Sequence, residues 1–196
     1  MDDSLPTMDI YSLENLQKAW KDGKRFTFIY FWGFEKEDVY LEPTETCLTQ
    51  WYPSEFVDEK GNHFSCCEQY MMAKKAELFG DKEILEKILA TNNPDEIKRL
   101  GRLVKNFDQE IWDKNCQEIV FQANLYKFSQ NENLQNYLLS QSFDAIFVEA
   151  SPYDAIWGIK LPILKAKTVS PLQWKGKNFL GFQLTRVRDQ LILQNS

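Results

Sequence analysis

Histidine is almost missing from this chain: His63 is the only one in 196 residues. A Ser/His/Asp or Cys/His catalytic set would have to rest on it alone, and it stands beside a turn, where an exposed or merely packed imidazole is the ordinary outcome. Metal-ligand spacing is missing too. The four cysteines, Cys47, Cys66, Cys67 and Cys116, show no C-x-x-C pair, and one histidine does not complete a zinc set with them. Cys66 and Cys67 are adjacent, where a disulfide is strained, so reduced thiols in a cytoplasmic protein are the simplest reading. With eight glycines, the chain has neither G-x-x-x-x-G-K-S/T nor a G-x-G-x-x-G after a strand, which removes the usual nucleotide fingerprints. Positive charge is short: 23 Lys and Arg stand against 29 Asp and Glu, a net charge of −6. That balance argues against generic nucleic-acid or anionic-membrane binding, yet leaves room for a phosphorylated small molecule held by a few local cations. No apolar run reaches membrane-spanning length, and Met1-Asp2-Asp3-Ser4 lacks the basic-then-apolar pattern of a signal peptide.

What is present is a globular composition, 43% hydrophobic and 27% charged, in a length suited to one core. Aromatics reach 14% with six Trp, which suits a bulky core and also stacking on a planar ligand. After a loose start over residues 1–10, Ser12 to Trp20 reads as a short helix ended near Asp22-Gly23. Arg25 to Trp32 reads as a strand buried on both faces, and Gly33 to Pro53 as irregular. Phe56-Val57 and His63-Phe64 flank Asp58-Glu59-Lys60-Gly61-Asn62 as a hairpin. Helices follow over Ser65–Phe79, Asp81–Ala90, from Asn93-Pro94, over Asp108 to about Gln130, and over Asn131–Ser140. Ala145–Glu149 reads as a strand, and a last helix from about Asn178 aligns Leu180, Leu184, Val187 and Leu191. Helix exceeds strand, so the expected fold is α+β, predominantly helical with a small β-sheet. Residues 1–24 form an N-terminal segment with a short helix and 25–196 the domain proper.

One helix breaks its own pattern. At 3.6 residues per turn, Glu68, Met71, Met72, Lys75, Leu78 and Phe79 share a face. An apolar stripe facing a core should not carry an unpaired carboxylate and ammonium. Neither has an opposite charge at i±3 or i±4, whereas Lys74 has Glu77. Seven residues separate Glu68 from Lys75, about 10.5 Å along the axis, so the two could converge on a small molecule. Two readings stand for Glu68, because Ser65-x-x-Glu68 also fits a capping box. Lys75 has no cap to make, though a snorkelling lysine is an alternative.

Other places carry weaker signals. Arg102, after Leu100-Gly101, supports a helix dipole or binds phosphate. Trp112 is core or a stacking platform. The run Glu149 to Gly158, with Asp154 and Trp157, follows a strand, where a turn and a reactive acid are both at home. Asn178 and Gly181 open a helix whose free N–H groups can receive an anion, or are an N-cap and a close-packing glycine. Taken one at a time, each has an ordinary structural explanation.

Taken in order, these segments resemble the NADAR, or YbiA-like, family over residues 28–193. The matching pieces are Phe31-Trp32, Gln50 to Phe56, Ser65 to Ala76, Gly101-Arg102, Trp112, Lys127-Phe128, Glu149-Ala150-Ser151-Pro152-x-Asp154-x-x-Trp157-Gly158, Asn178-x-Leu180-Gly181 and Val187-Arg188. Departures are Thr49-Gln50-Trp51 where many members have Ser-Asn-Phe, Gln69 where many have His, and an insertion from Leu161 to Trp174; they bear on substrate choice more than on chemistry. The resemblance implies an N-glycosidase acting on ribosylated riboflavin-pathway intermediates or on ADP-ribosylated guanine, with no cofactor and no metal. It implies Lys75 as a nucleophile able to form a Schiff base, Glu68 as cation stabiliser or proton shuttle, and Asp154 as a second acid/base. Trp51, Tyr70, Arg102, Trp112, Glu149, Trp157, Gly158, Asn178, Gly181 and Arg188 are its implied substrate contacts. The rival reading is a non-catalytic module that binds ADP-ribose or NAD in the same pocket.

Overall fold

The computed structural model describes residues 10–33 and 42–195. The expected loose start, apart from Ile10, and part of the expected irregular stretch after Gly33 lie outside these residues. Among them the order is α1 (Leu13–Lys21), β1 (Thr27–Phe31), β2 (Phe56–Val57), β3 (His63–Phe64), α2 (Cys67–Leu78), α3 (Lys82–Leu89), α4 (Pro94–Arg102), α5 (Gln109–Gln130), α6 (Glu132–Leu139), β4 (Ala145–Glu149), α7 (Ile163–Ala166) and α8 (Phe179–Asn195). The chain forms two compact units, one from residues 1–49 and 136–196, the other from Gln50–Gln135. Start signals in the sequence place the helices well: the side chains of Ser12, Asp81, Asn93 and Asp108 each accept a backbone N–H in the first turn. Unforeseen were α7, a 3-10 turn at Glu45–Leu48 and another at Pro171–Gln173.

The first unit is built on β1 and β4, which pair in parallel from Thr27↔Ala145 to Phe31↔Glu149. β4 is buried over its first four residues. β1 is only half-buried before Phe31, against the expectation of burial on both faces, because a two-stranded sheet leaves it on an edge. Leu16 of α1 joins Ile146, Val148, Ile159, Leu161, Trp174 and Phe182 in the core.

α8 finishes the sheet in place of a third strand. Its Leu180, Leu184, Val187 and Leu191 are buried as the pattern required, but its polar face is buried too and runs along the other side of β4. Asn178 Nδ2 donates to Phe147 O at 2.9 Å and its Oδ1 accepts Glu149 N–H at 3.0 Å. Thr185 Oγ1 accepts Phe147 N–H at 3.2 Å, and Arg188 donates to the carbonyls of Ser142, Phe143 and Ala145. Backbone groups that an edge strand would leave unpaired are thereby satisfied from side chains. Gly181 makes this approach possible, since a Cβ there would lie 2.1 Å from Phe147 O.

The second unit packs α2 against α3, α4 and α5, with the antiparallel β2–β3 hairpin at its side. Phe56, Phe64 and Tyr70 form an aromatic cluster in its core with Tyr126 on its edge. Lys74, next to Lys75 and also mostly buried, pairs with Glu77 at 3.0 Å, Glu59 at 3.5 Å and Asp58 at 3.6 Å.

Candidate functional site

α2 is buried on most of its circumference, through Cys67, Gln69, Tyr70, Met71, Ala73 and Ala76. The stripe Glu68–Met72–Lys75 is the half-exposed seam between those buried faces. The charged residues therefore do not interrupt the core; they occupy the strip of α2 left open.

The helix starts one residue later than the expected Ser65 cap, and Ser65 is held by Gln69. Cys66 is the N-cap and gives no side-chain cap bond. Gln69 reaches back, its Oε1 accepting from Ser65 N at 2.7 Å and Ser65 Oγ at 2.9 Å, while its Nε2 donates to the carbonyls of Ile88 and Thr91. At 1% exposure Gln69 is a staple between α2 and α3, so its difference from the family's histidine acts on packing. The Glu68 backbone N–H donates to Gln50 O at 3.0 Å.

Lys75 points back over the neighbouring helix ends. Its Nζ donates to Gly101 O at 2.9 Å and lies 4.4 Å from the Phe107 ring centroid and 5.7 Å from that of Trp112. Burial among these groups pushes its pKa below the ordinary lysine value, with no carboxylate opposing the shift. Gly101 leaves room for Met72, whose Sδ would lie 2.0 Å from a Cβ there and would have to move. Arg102 follows it, exposed at the α4 C-terminus, and Trp51 stands half-buried next to Gln50. Glu68, Lys75, Trp51, Arg102 and Trp112 thus all belong to the second unit. Tyr70, also expected as a substrate contact, lies in the aromatic cluster of the same unit. It is buried, edge-on to Phe64 at 5.0 Å and Tyr126 at 5.8 Å, with burial raising its phenol pKa.

In the first unit the candidates gather where β4 ends. Glu149 is half-buried there, and its carbonyl accepts Ile159 N–H at 2.9 Å. Asp154, expected as an acid/base, has Oδ1 engaged by the N–H groups of Ile156 at 2.7 Å and Trp157 at 2.8 Å. It shapes the loop, as an Asx turn does. Trp157 is half-buried, edge-on to Phe179 at 6.1 Å. Gly158 is required by packing, since a Cβ would meet Glu149 O at 2.7 Å. Asn178, at 0% exposure, Gly181 and the buried Arg188, expected as substrate contacts, stand against β4, the polar groups of Asn178 and Arg188 bonding its backbone and, for Arg188, Asp189. Their signal in sequence is the same as for an anion site, so only the burial separates the two.

A NADAR domain model matches residues 30–192, a range that runs through both units. The chain belongs to the NADAR family. It is 40% identical over 167 residues to N-glycosidase R617 of Acanthamoeba polyphaga mimivirus, covering 83% of this chain and 95% of that protein. N-glycosidase YbiA of Escherichia coli is 28% identical over 134 residues, 68% of this chain and 74% of YbiA. The solution structure of E. coli YbiA superposes with a TM-score of 0.67 over 88% of this chain and 89% of YbiA, at 24% identity, which establishes the same fold. A chloroplastic riboflavin biosynthesis protein of Zea mays, PYRR, is 28% identical over 69% of this chain, which spans 21% of its length.

Within this NADAR chain, two side chains near the α2 seam were not among the expected site residues. Gln50 holds Asn124 Nδ2 through its Oε1 at 3.1 Å, while its own Nε2 is buried with no hydrogen-bond partner among the described residues. Such a donor invites a polar ligand atom. Phe107, over Lys75, follows Asn106, whose φ of 56° is a left-handed conformation that asparagine tolerates. Neither position stands out in composition or period; each acquires meaning from what the fold sets beside it. A cleft of about 100 Å³ lined by Glu55, His63, Phe64, Ser65 and Asn92 includes none of these candidates, and among the described residues no helix is long and apolar enough to cross a membrane.

Proposed function

We propose that this chain hydrolyses the ribose C1–N bond of a ribosylated riboflavin-pathway intermediate or of ADP-ribosylated guanine, through a covalent intermediate on Lys75. Hydrolysis of N-glycosyl compounds is the activity named for R617 and YbiA, and it is the activity of this chain. Lys75 carries the finer reading. Its amine is desolvated, ion-paired to nothing among the described residues, and held beside an aromatic face on the open seam of α2. An amine whose charged form is disfavoured has a larger neutral, nucleophilic fraction near neutral pH.

The step follows from that chemistry. As the C1–N bond loosens, positive charge builds on the sugar, and the Glu68 carboxylate stabilises it. The Lys75 nitrogen bonds to C1, the base leaves with the bond pair, and a proton given up by Lys75 reaches the base through Glu68. Ring opening yields the imine, and water then releases the free sugar and restores the amine. The riboflavin name of the maize relative supports a ribosylated aminouracil as one substrate. Four buried cysteines, none in a disulfide, support a reducing, cytoplasmic setting.

Borohydride reduction during turnover, followed by mass spectrometry, tests this directly. The expected result is one sugar adduct, on Lys75, with turnover lost in Lys75→Ala and Glu68→Gln. Full turnover in Lys75→Ala would overturn the covalent step. Binding of ADP-ribose without release of base from ADP-ribosylated guanosine or from ribosylaminouracil phosphates would favour a non-catalytic binding module.

A further inference from the structure

Exposed apolar bulk in the second unit is confined to one place. Among the described residues its only exposed large apolar side chains are Leu103, Phe107 and Ile111, and all three stand on the link from α4 to the first turn of α5. Such grouping differs from the scattered apolar residues of an ordinary surface. The Phe107 ring leans on Phe79, centroids 5.2 Å apart and planes at 60°, yet it is 42% exposed. A ring serving only the core would be covered, because removing apolar area from water is what stabilises a core.

The link that carries Phe107 is fixed. Val104 is buried in the core of the unit, Lys105 N–H donates to Asp81 Oδ2 at 2.9 Å, and Asp108 Oδ1 accepts Ile111 N–H at 2.9 Å. Between those anchors Asn106 turns the chain at φ 56°. Left-handed backbone outside glycine costs energy and concentrates at functional sites. Here the turn delivers the ring to the Lys75 amine, whose Nζ lies over it, 4.4 Å from its centroid.

The neighbours of that nitrogen divide its directions. As an ammonium it has three N–H bonds to place. One goes to Gly101 O at 2.9 Å, a carbonyl in the last turn of α4. A second faces the Phe107 ring, whose negative face attracts an N–H and repels a lone pair. The third meets the Trp112 ring at 5.7 Å, close to the limit of about 6 Å for such attraction. The proton held least is the third, and when it leaves for solvent the lone pair appears on the Trp112 side. Attraction to the ring holds the charged form while burial opposes it, so what Phe107 adds is direction rather than basicity. A nucleophile with a set direction is what attack on a bound carbon requires.

We propose that Phe107 is a positioning residue of the Lys75 site: with Gly101 O it fixes two N–H directions of the amine and leaves the lone pair toward Trp112, where the sugar carbon is attacked. This rests on the glycosidase reading and deepens it, and every residue it uses belongs to the second unit. Phe107 acts through the amine, and half-buried Trp112 lines the side on which the sugar enters.

The test uses the full chain with ADP-ribosylated guanosine and a ribosylaminouracil phosphate as substrates, in wild type, Phe107→Leu, Phe107→Tyr and, as control, Leu103→Ala. Leucine keeps apolar bulk over Lys75 and removes the ring face; tyrosine keeps the face. Phe107→Leu is expected to lower kcat, and the rate of the borohydride-trapped Lys75 adduct, at least about tenfold with KM and melting temperature unchanged, since misdirecting a bound nucleophile costs that much or more. Phe107→Tyr is expected to keep both rates, and Leu103→Ala to leave them alone. The Lys75 Hε resonance reads the geometry without activity: the ring current displaces it upfield in wild type and in Phe107→Tyr, and Phe107→Leu releases it. Wild-type kcat in Phe107→Leu, an equal loss in Phe107→Tyr, or a resonance that Phe107→Leu does not move would overturn the inference and leave the glycosidase reading intact. Failure of the wild-type protein to cleave either substrate would sink the glycosidase reading itself, and with it a catalytic role for Phe107, even where the resonance moves as expected.

Discussion

Asn178 decides between two roles that look alike in sequence, and its replacement has a calculable cost. Asn178→Ala removes the acceptor of Glu149 N–H and the donor to Phe147 O. Each buried backbone group left without a partner costs about 1–3 kcal/mol. Alanine would also have to hold the φ of 54° found there, which costs about 1–2 kcal/mol more for an L side chain. The sum, about 3–8 kcal/mol, rivals the whole stability of an ordinary domain, about 5–15 kcal/mol. Asn178→Gly loses the same hydrogen bonds but carries no left-handed strain, so it should be the milder of the two by about 1 kcal/mol. In urea, where small proteins lose about 1–3 kcal/mol per molar, the alanine variant should unfold at least about 1 M earlier than wild type. Substrate KM, measured on the fraction that stays folded, should move little. Wild-type unfolding midpoints in both variants together with a large rise in KM would refute the support role and return Asn178 to the ligand.

Three further results are expected. Gln69→Ala should lower stability by about 2–5 kcal/mol, because Ser65 N–H and the carbonyls of Ile88 and Thr91 lose their partner; Glu68→Gln should cost the fold less and activity more, and the reverse ordering in melts would restore Glu68 as the cap. Gly101→Ala gains about 1 kcal/mol of helix propensity and loses about 1–3 kcal/mol to the collision with Met72, so its melting point should fall slightly while turnover drops through displacement of the Met72–Lys75 stripe; unchanged turnover would separate Gly101 from the site. Burial holds Lys75 below its ordinary 10.5, so between the two values the unfolded chain binds the extra proton and stability rises with pH. The penalty is complete below the lowered folded-state value, and Lys75→Met should remove both it and the rise above it; a parallel profile in the variant would contradict the desolvation.

Element boundaries were largely legible because they are set by neighbours in sequence. Ser12, Asp81, Asn93-Pro94 and Asp108 start their helices through bonds spanning two or three residues, and the Asp58–Asn62 turn closes the β2–β3 hairpin across four. Pairing partners were not legible, since β1 and β4 lie more than a hundred residues apart and nothing in either strand names the other. The short α7 and the 3-10 turns escaped because one turn of helix leaves too few residues to show a period.

The site divides in the same way. By itself the sequence determined that Glu68 and Lys75 share a face of one helix, and that Lys74 does not, because a 3.6-residue repeat fixes direction without any tertiary contact. It also determined the family, through the order of short motifs along the chain. Tertiary structure alone decided that the face is a half-open seam, that Gln69 reaches back to Ser65, and that Phe107 and Gly101 stand over the Lys75 amine. It likewise set Asn178, Gly181 and Arg188, expected as ligand contacts, along the free edge of β4. The physical reason is burial: the same asparagine, glycine or arginine binds an anion when solvent reaches it and braces a strand when it does not, and accessibility is a property of the packed chain.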